Sequence, residues 1–155
     1  MRVEELGHVV LYVRDLERSV RFYRDVLGWP VVEDGRHLEH PLPIAVFRGS
    51  AERTHHELLL IDVGPDAAAL PAGRRVGLYH FGVKIGSHDD DLREALERLE
   101  RHDVALLGAT DHTMTHSLYV SDPDGNEVEL YIDVPGVQWN DPHLWSDPRP
   151  RPLRL

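Results

Sequence analysis

Between Ser117 and Val134 the chain reads SLYVSDPDGNEVELYIDV, two apolar and β-branched runs flanking Asp122-Pro123-Asp124-Gly125-Asn126. Proline fixes φ at the first turn position and glycine supplies the left-handed one, so this pattern predicts a β-hairpin. With Asp122 opposite Asn126, Tyr119 falls opposite Glu129. Side chains alternate along a strand, which puts Glu129, Tyr131 and Asp133 on one face and Val128, Leu130 and Ile132 on the other. The apolar set goes to the core. A carboxylate then stands mid-strand beside a phenol, and burying it is costly unless it is paired, protonated or metal-bound.

The same alternation opens the chain. Gly7 to Val13 predicts a strand with His8, Val10 and Tyr12 on one face and Val9, Leu11 and Val13 on the other. Asp15 is placed to cap a helix running to about Leu27, with Leu16, Val20, Tyr23 and Leu27 at helical spacing and Gly28 ending it. Trp29 to Val32, Ala45 to Arg48 and Glu57 to Val63 read as three more strands. The polar stretch Arg36 to Pro43 carries no clear period. In the second half, His80 to Ile85 is a strand and Asp89-Asp90-Asp91 opens a helix with the stripe Leu92, Ala95, Leu96, Leu99. Val104 to Leu107 is a short strand, and the hairpin follows.

The halves share an offset. Glu57 and Glu129 are 72 positions apart, as are His8 and His80, and Glu57-Leu58-Leu59-Leu60-Ile61-Asp62-Val63 is echoed by Glu129-Leu130-Tyr131-Ile132-Asp133-Val134. This spacing suggests an internal duplication in which each copy contributes one His and one Glu. The expected fold is α+β: two tandem βαβββ modules in a curved, cup-like mixed sheet around a metal site. The modules are bounded as 1–68 and 80–134, with a linker at 69–79 and an extended C-terminal tail at 135–155. In that tail Trp139 and Trp145 are expected to dock on the body or on a neighbouring subunit.

Composition narrows the chemistry. A chain of 155 residues supports one good core or two small modules sharing one. With no cysteine there is no disulfide framework and no thiolate, so any metal must be held by imidazole and carboxylate. The net charge of −10 argues against nucleic acid or anionic lipid as partner. No apolar run is long enough to span a membrane and the start has no signal-peptide pattern, so a cytoplasmic location is the expectation. Of the eleven histidines, His37, His40, His102 and His143 sit in polar, turn-like contexts and read as surface.

Paired βαβββ units with His opening each first strand and Glu in each last strand resemble the vicinal oxygen chelate superfamily. Its members include glyoxalase I, extradiol dioxygenases and antibiotic-resistance binding proteins. The resemblance covers about residues 5 to 134. GLYHFGVKI, the Asp111-His112 pair and SLYVSDPDGNEVELY look most like single-chain catechol 2,3-dioxygenase-like proteins. Fold does not fix activity, so function has to be argued from the site.

The resemblance implies a metal held by His8, His80 and Glu129, the two-imidazole, one-carboxylate set that suits Fe(II). Adding Glu57 gives the four-ligand set of bacterial-type glyoxalase I, which suits Ni, Co or Zn, with Mn as a further divalent alternative. Three protein ligands leave an octahedral ion room for a chelating catecholate and dioxygen together; four do not. Tyr119 lies ten residues before Glu129, the spacing of the second-shell tyrosine in extradiol dioxygenases, and His112 seven residues before Tyr119 is the candidate acid–base group. His116 ranks lower because strand parity turns it away from Tyr119, and His55 and His56 are weaker ligand candidates than Glu57. The leading reading is a metal-dependent extradiol ring-cleaving dioxygenase acting on a catechol-like small molecule. A glyoxalase I-like lyase or isomerase is second and a non-catalytic drug-binding module third, with a homodimer as a possible assembly.

Overall fold

The computed structural model describes residues 1–35, 40–138, 140–146 and 149–155. Residues 36–39, the first half of the polar stretch Arg36 to Pro43 and including His37, lie outside the described residues, as does Trp139. The chain divides into two units, Met1–Leu70 and Pro71–Leu155. Each repeats one topology.

In the first unit β1 (Val9–Val13) is followed by helix α1 (Leu16–Arg21), then β2 (Val31–Glu33), β3 (Ile44–Phe47) and β4 (Leu58–Asp62). The sheet order is β1-β4-β3-β2, with β1 parallel to β4 and the other pairs antiparallel. Asp15 caps α1 through its side chain, which accepts the Arg18 N–H at 2.9 Å. The helix ends differently from its periodicity. From Phe22 to Val26 it widens into a π-helical turn, closed by the Leu27 N–H on the Phe22 carbonyl at 3.0 Å. The Trp29 N–H then returns to the Tyr23 carbonyl, which starts β2 two residues later than the sequence suggests. The core is the inward face of β1 (Leu11, Val13) with Phe22, Tyr23, Phe47, Leu58 and Leu60, all buried. His8, Val10 and Tyr12 are exposed on the opposite face.

In the second unit β5 (His80–Gly86) leads to helix α2 (Asp89–Arg101), then β6 (Leu106–Asp111), β7 (Thr115–Ser121) and β8 (Glu127–Asp133). Val104 and Ala105, expected to begin a strand, instead belong to a reversal of the chain after α2, and the strand starts at Leu106. Asp103 takes a left-handed φ of 55°, and the Val104 N–H closes onto the Leu99 carbonyl. The sheet order is β5-β8-β7-β6-β9, where β9 (Arg151–Pro152) brings the C-terminal tail back onto the edge of β6. Trp145 is 69% exposed and does not dock on its own chain. Helix α2 packs on β8, β5 and β7, burying Leu92 and Leu99 against Leu118, Val120, Val128, Leu130 and Ile132. Each such side chain removed from water contributes about 1.5–3 kcal/mol.

The hairpin loop is built around the carboxylate of Asp122. That group is 4% exposed, yet it accepts the Asp124 and Asn126 N–H groups at 2.9 and 2.7 Å and the Asn126 amide at 2.9 Å. Gly125 takes the left-handed φ of 91° that the turn requires. This locks the register, and Tyr119 faces Glu129 across the β7–β8 ladder.

Candidate active site

The polar face of β8 carries the site. Leu130 and Ile132 are buried beneath α2, so period-two alternation turns Glu127, Glu129, Tyr131 and Asp133 the other way. On the neighbouring strand His80 pairs in register with Glu127, and Gly82 with Glu129. Gly82 is there for space: a Cβ would meet the Tyr131 ring at 3.2 Å and Glu129 Oε2 at 3.5 Å. Lys84 and Asp133 form an ion pair further along the same two strands.

Glu129 is the centre. Its Oε2 stands 3.2 Å from His80 Nε2, and its Oε1 accepts the Tyr119 hydroxyl at 3.0 Å. Burial first, then the charge and hydrogen bond of Glu129, push the Tyr119 phenol well above its ordinary value of 10.0, so it keeps its proton. That proton is committed to Glu129, so His112 Nε2, 2.8 Å from the Tyr119 oxygen, must be the donor in their bond. His112 reaches in from the tight β6–β7 turn, where Thr113 adopts a φ of 73° and its N–H closes on Asp111 Oδ1. His112, Tyr119 and Glu129 thus form one hydrogen-bonded line, with His112 Nε2 at 4.0 Å from Glu129. His116 lies on the other face, its Nδ1 2.6 Å from Asp89 at the start of α2, and ties helix to sheet.

Glu127 was missed in the sequence reading. Its Oε1 lies 3.3 Å from His80 Nδ1, but the alignment is not that of a hydrogen bond, and Nδ1 remains buried without a partner. The charge of Glu127 also raises the phenol of Tyr79, next to His80 in sequence. The signal was available in the alternation Glu127-Val128-Glu129, which places both carboxylates on one face.

In the first unit the repeat holds less exactly. Val9 pairs with Leu58, whereas Phe81, 72 positions on from Val9, pairs with Val128, only 70 on from Leu58. A slip of two residues preserves the face but moves the position along the strand. Glu57 therefore sits just before β4, and its Oε2 accepts the Gly49 N–H at 2.7 Å. His8 is exposed beside two further imidazoles, with ring centroids 4.6 Å from His56 and 6.0 Å from His55. Burial and then these neighbouring rings lower the His56 pKa. Among the described residues, no three histidine or carboxylate side chains of one unit gather into a metal-holding group.

The His80–Glu129 pair nevertheless fits part of such a group. Two adjacent ligands, each about 2.0–2.2 Å from a metal, stand about 3 Å apart. An imidazole nitrogen and a carboxylate oxygen at 3.2 Å match that separation. A second carboxylate behind the ring, as Glu127 is here, is the usual partner of a metal-binding histidine.

Residues 5–130 match the model of the Glyoxalase/Bleomycin resistance protein/Dioxygenase superfamily. The chain belongs to this superfamily. It is 36% identical over 134 residues to the catechol-2,3-dioxygenase of Bacillus subtilis, matching 86% of this chain but only 43% of that enzyme. It is 31% identical over 128 residues to a lactoylglutathione lyase of Neisseria meningitidis, covering 81% of this chain and 88% of the lyase. Among solved structures, a glyoxylase/bleomycin resistance protein/dioxygenase domain from Frankia superposes with a TM-score of 0.69 at 23% identity, over 88% of this chain and 96% of that one. That last likeness is one of fold. No described helix is long and apolar enough to cross a membrane.

Proposed function

We propose that this chain is a metal-dependent enzyme that cleaves the ring of a catechol-like small molecule beside its paired hydroxyls. The observation that carries this reading is the line His112–Tyr119–Glu129, a protonated phenol held between an imidazole and the carboxylate beside His80. His80 and Glu129 would hold a divalent metal, and His8, on the strength of the repeat and the family resemblance, would add the second imidazole. Fe(II) is the preferred ion, and when bound it would supply the redox chemistry between a diol and dioxygen. The chain's own residues do the rest. With substrate bound, Tyr119, kept protonated, would turn its hydroxyl from Glu129 to a substrate oxygen, and the neighbouring imidazole of His112 would hold or return the proton there. Glu57, already engaged by the Gly49 N–H, stands aside. The similarity to a catechol-2,3-dioxygenase supports the reading.

A glyoxalase I-like lyase is the second reading, favoured by one observation: over 81% of its length this chain is 31% identical to a lactoylglutathione lyase, little less than its identity to the dioxygenase. In that case Glu57 joins the metal as a fourth ligand, with Ni, Co, Zn or Mn bound. One experiment separates the two. Protein reconstituted anaerobically with Fe(II) and then given a catechol panel and air is expected to consume oxygen and form a yellow ring-opened product. Stoichiometric iron with no oxygen uptake, together with isomerisation of a methylglyoxal–thiol adduct by the Ni or Zn protein, would install the lyase instead.

A further inference from the structure

We propose that Glu127 is a positioning residue for His80: its carboxylate takes the Nδ1 proton of the imidazole and so turns the Nε2 lone pair towards Glu129. The inference rests on the metal-site reading above and assigns a role to a residue outside the proposed ligand set. It begins from an unpartnered atom. His80 Nδ1 is buried without a hydrogen-bond partner, and Glu127 Oε1 lies 3.3 Å away. The two residues are direct partners on adjoining parallel strands, so a small rotation of the ring completes the bond.

The choice of tautomer follows from what surrounds the ring. A neutral imidazole carries one proton. Placed on Nε2, it would serve Glu129 Oε2 but leave the Nδ1 lone pair facing the Glu127 carboxylate, two acceptors opposed in a partly buried site that no cation shared with Glu129 could relieve. An unpaired arrangement of that kind costs about 1–3 kcal/mol. Placed on Nδ1, the proton satisfies Glu127. Nε2 and Glu129 Oε2 then become two acceptors 3.2 Å apart that need a cation between them. Glu129 cannot turn away to avoid this, because its other oxygen is held by Tyr119. Glu127 therefore converts an ordinary strand histidine into one half of a cation-binding pair.

The test has two readouts. In long-range 1H–15N spectra of the full chain, wild-type His80 should show a proton on Nδ1 protected from solvent exchange. That signal should vanish in Glu127→Ala and persist in Glu127→Gln, whose amide oxygen still accepts. In absorption titrations with Co(II), Glu127→Ala should bind about 10–100-fold more weakly than wild type, and Glu127→Gln should recover most of the loss. The proposal is overturned if wild-type His80 is protonated on Nε2 alone, if Glu127→Ala leaves the Nδ1 proton protected, or if its cobalt affinity equals that of wild type. Wild-type protein that binds no Co(II) at all would remove the metal reading, and the Nδ1 signal would then decide by itself whether Glu127 positions the ring.

Discussion

The Glu57 carboxylate accepts the backbone N–H of Gly49 at 2.7 Å, whereas Glu129, its counterpart by sequence offset, is held by a phenol. Two residues matched in type and face thus have different hydrogen-bond partners. Under ring cleavage Glu57→Gln is expected to be mild, because the amide oxygen still accepts the Gly49 N–H. Stability should change by no more than about 0.5 kcal/mol, and iron content should be unchanged. Turnover of a hemithioacetal, if that is the true activity, should fall at least about a hundredfold. Metal analysis beside both assays checks this; loss of iron in the variant would make Glu57 a ligand and displace the dioxygenase reading.

Tyr119→Phe keeps the ring and removes only the hydroxyl. Its phenol is pushed up by burial and by Glu129, so it acts as a donor across the neutral range. The variant should bind metal as wild type does while kcat for ring cleavage falls by about 10²–10³. Steady-state oxygen uptake at matched iron content provides the measurement. An unchanged kcat would take Tyr119 out of the reaction.

Asp91 makes a pH-dependent contribution to folding away from the site. Its Oδ2 accepts the N–H groups of Ser87 and His88 at 2.8 and 2.9 Å, which hold its carboxyl below the ordinary 3.8. A carboxyl with a lowered folded-state pKa stabilises above its unfolded value and loses that effect as pH falls through the folded one. The Tm gap between wild type and Asp91→Asn should therefore hold steady from neutral pH to about 4 and shrink below it. Gly86→Ala should act through the same contact, since its Cβ would lie 2.1 Å from Asp91 Oδ2. It should lower Tm by a few degrees, in the Asp91→Asn background as well as alone, since asparagine keeps the Cγ and Cβ that the new methyl would meet at 2.3 and 2.5 Å. A gap that widens in acid would refute this account of the cap.

What was legible in the sequence was local or periodic. The alternation in Ser117 to Val134, the Pro-Asp-Gly turn and the Asp15 cap are short-range steric and hydrogen-bonding preferences, so they located the hairpin, the Tyr119–Glu129 pairing and both helices. The repeated His and Glu pointed to two copies of one unit. Tertiary structure decided what depends on register and backbone detours. The π-helical turn at Phe22 to Val26 and the reversal at Asp103 depend on how each helix meets its sheet, and no residue period encodes that. The two-residue difference in parallel register left Glu57 at the mouth of β4 and brought Glu127 level with His80. Parallel neighbours are joined only by long connections, so nothing local fixes their register; the packing of the buried face does. His112 was marked in the sequence only as a candidate acid–base group; its bond to Tyr119 depends on the turn in which Thr113 takes a left-handed φ, which no spacing encodes.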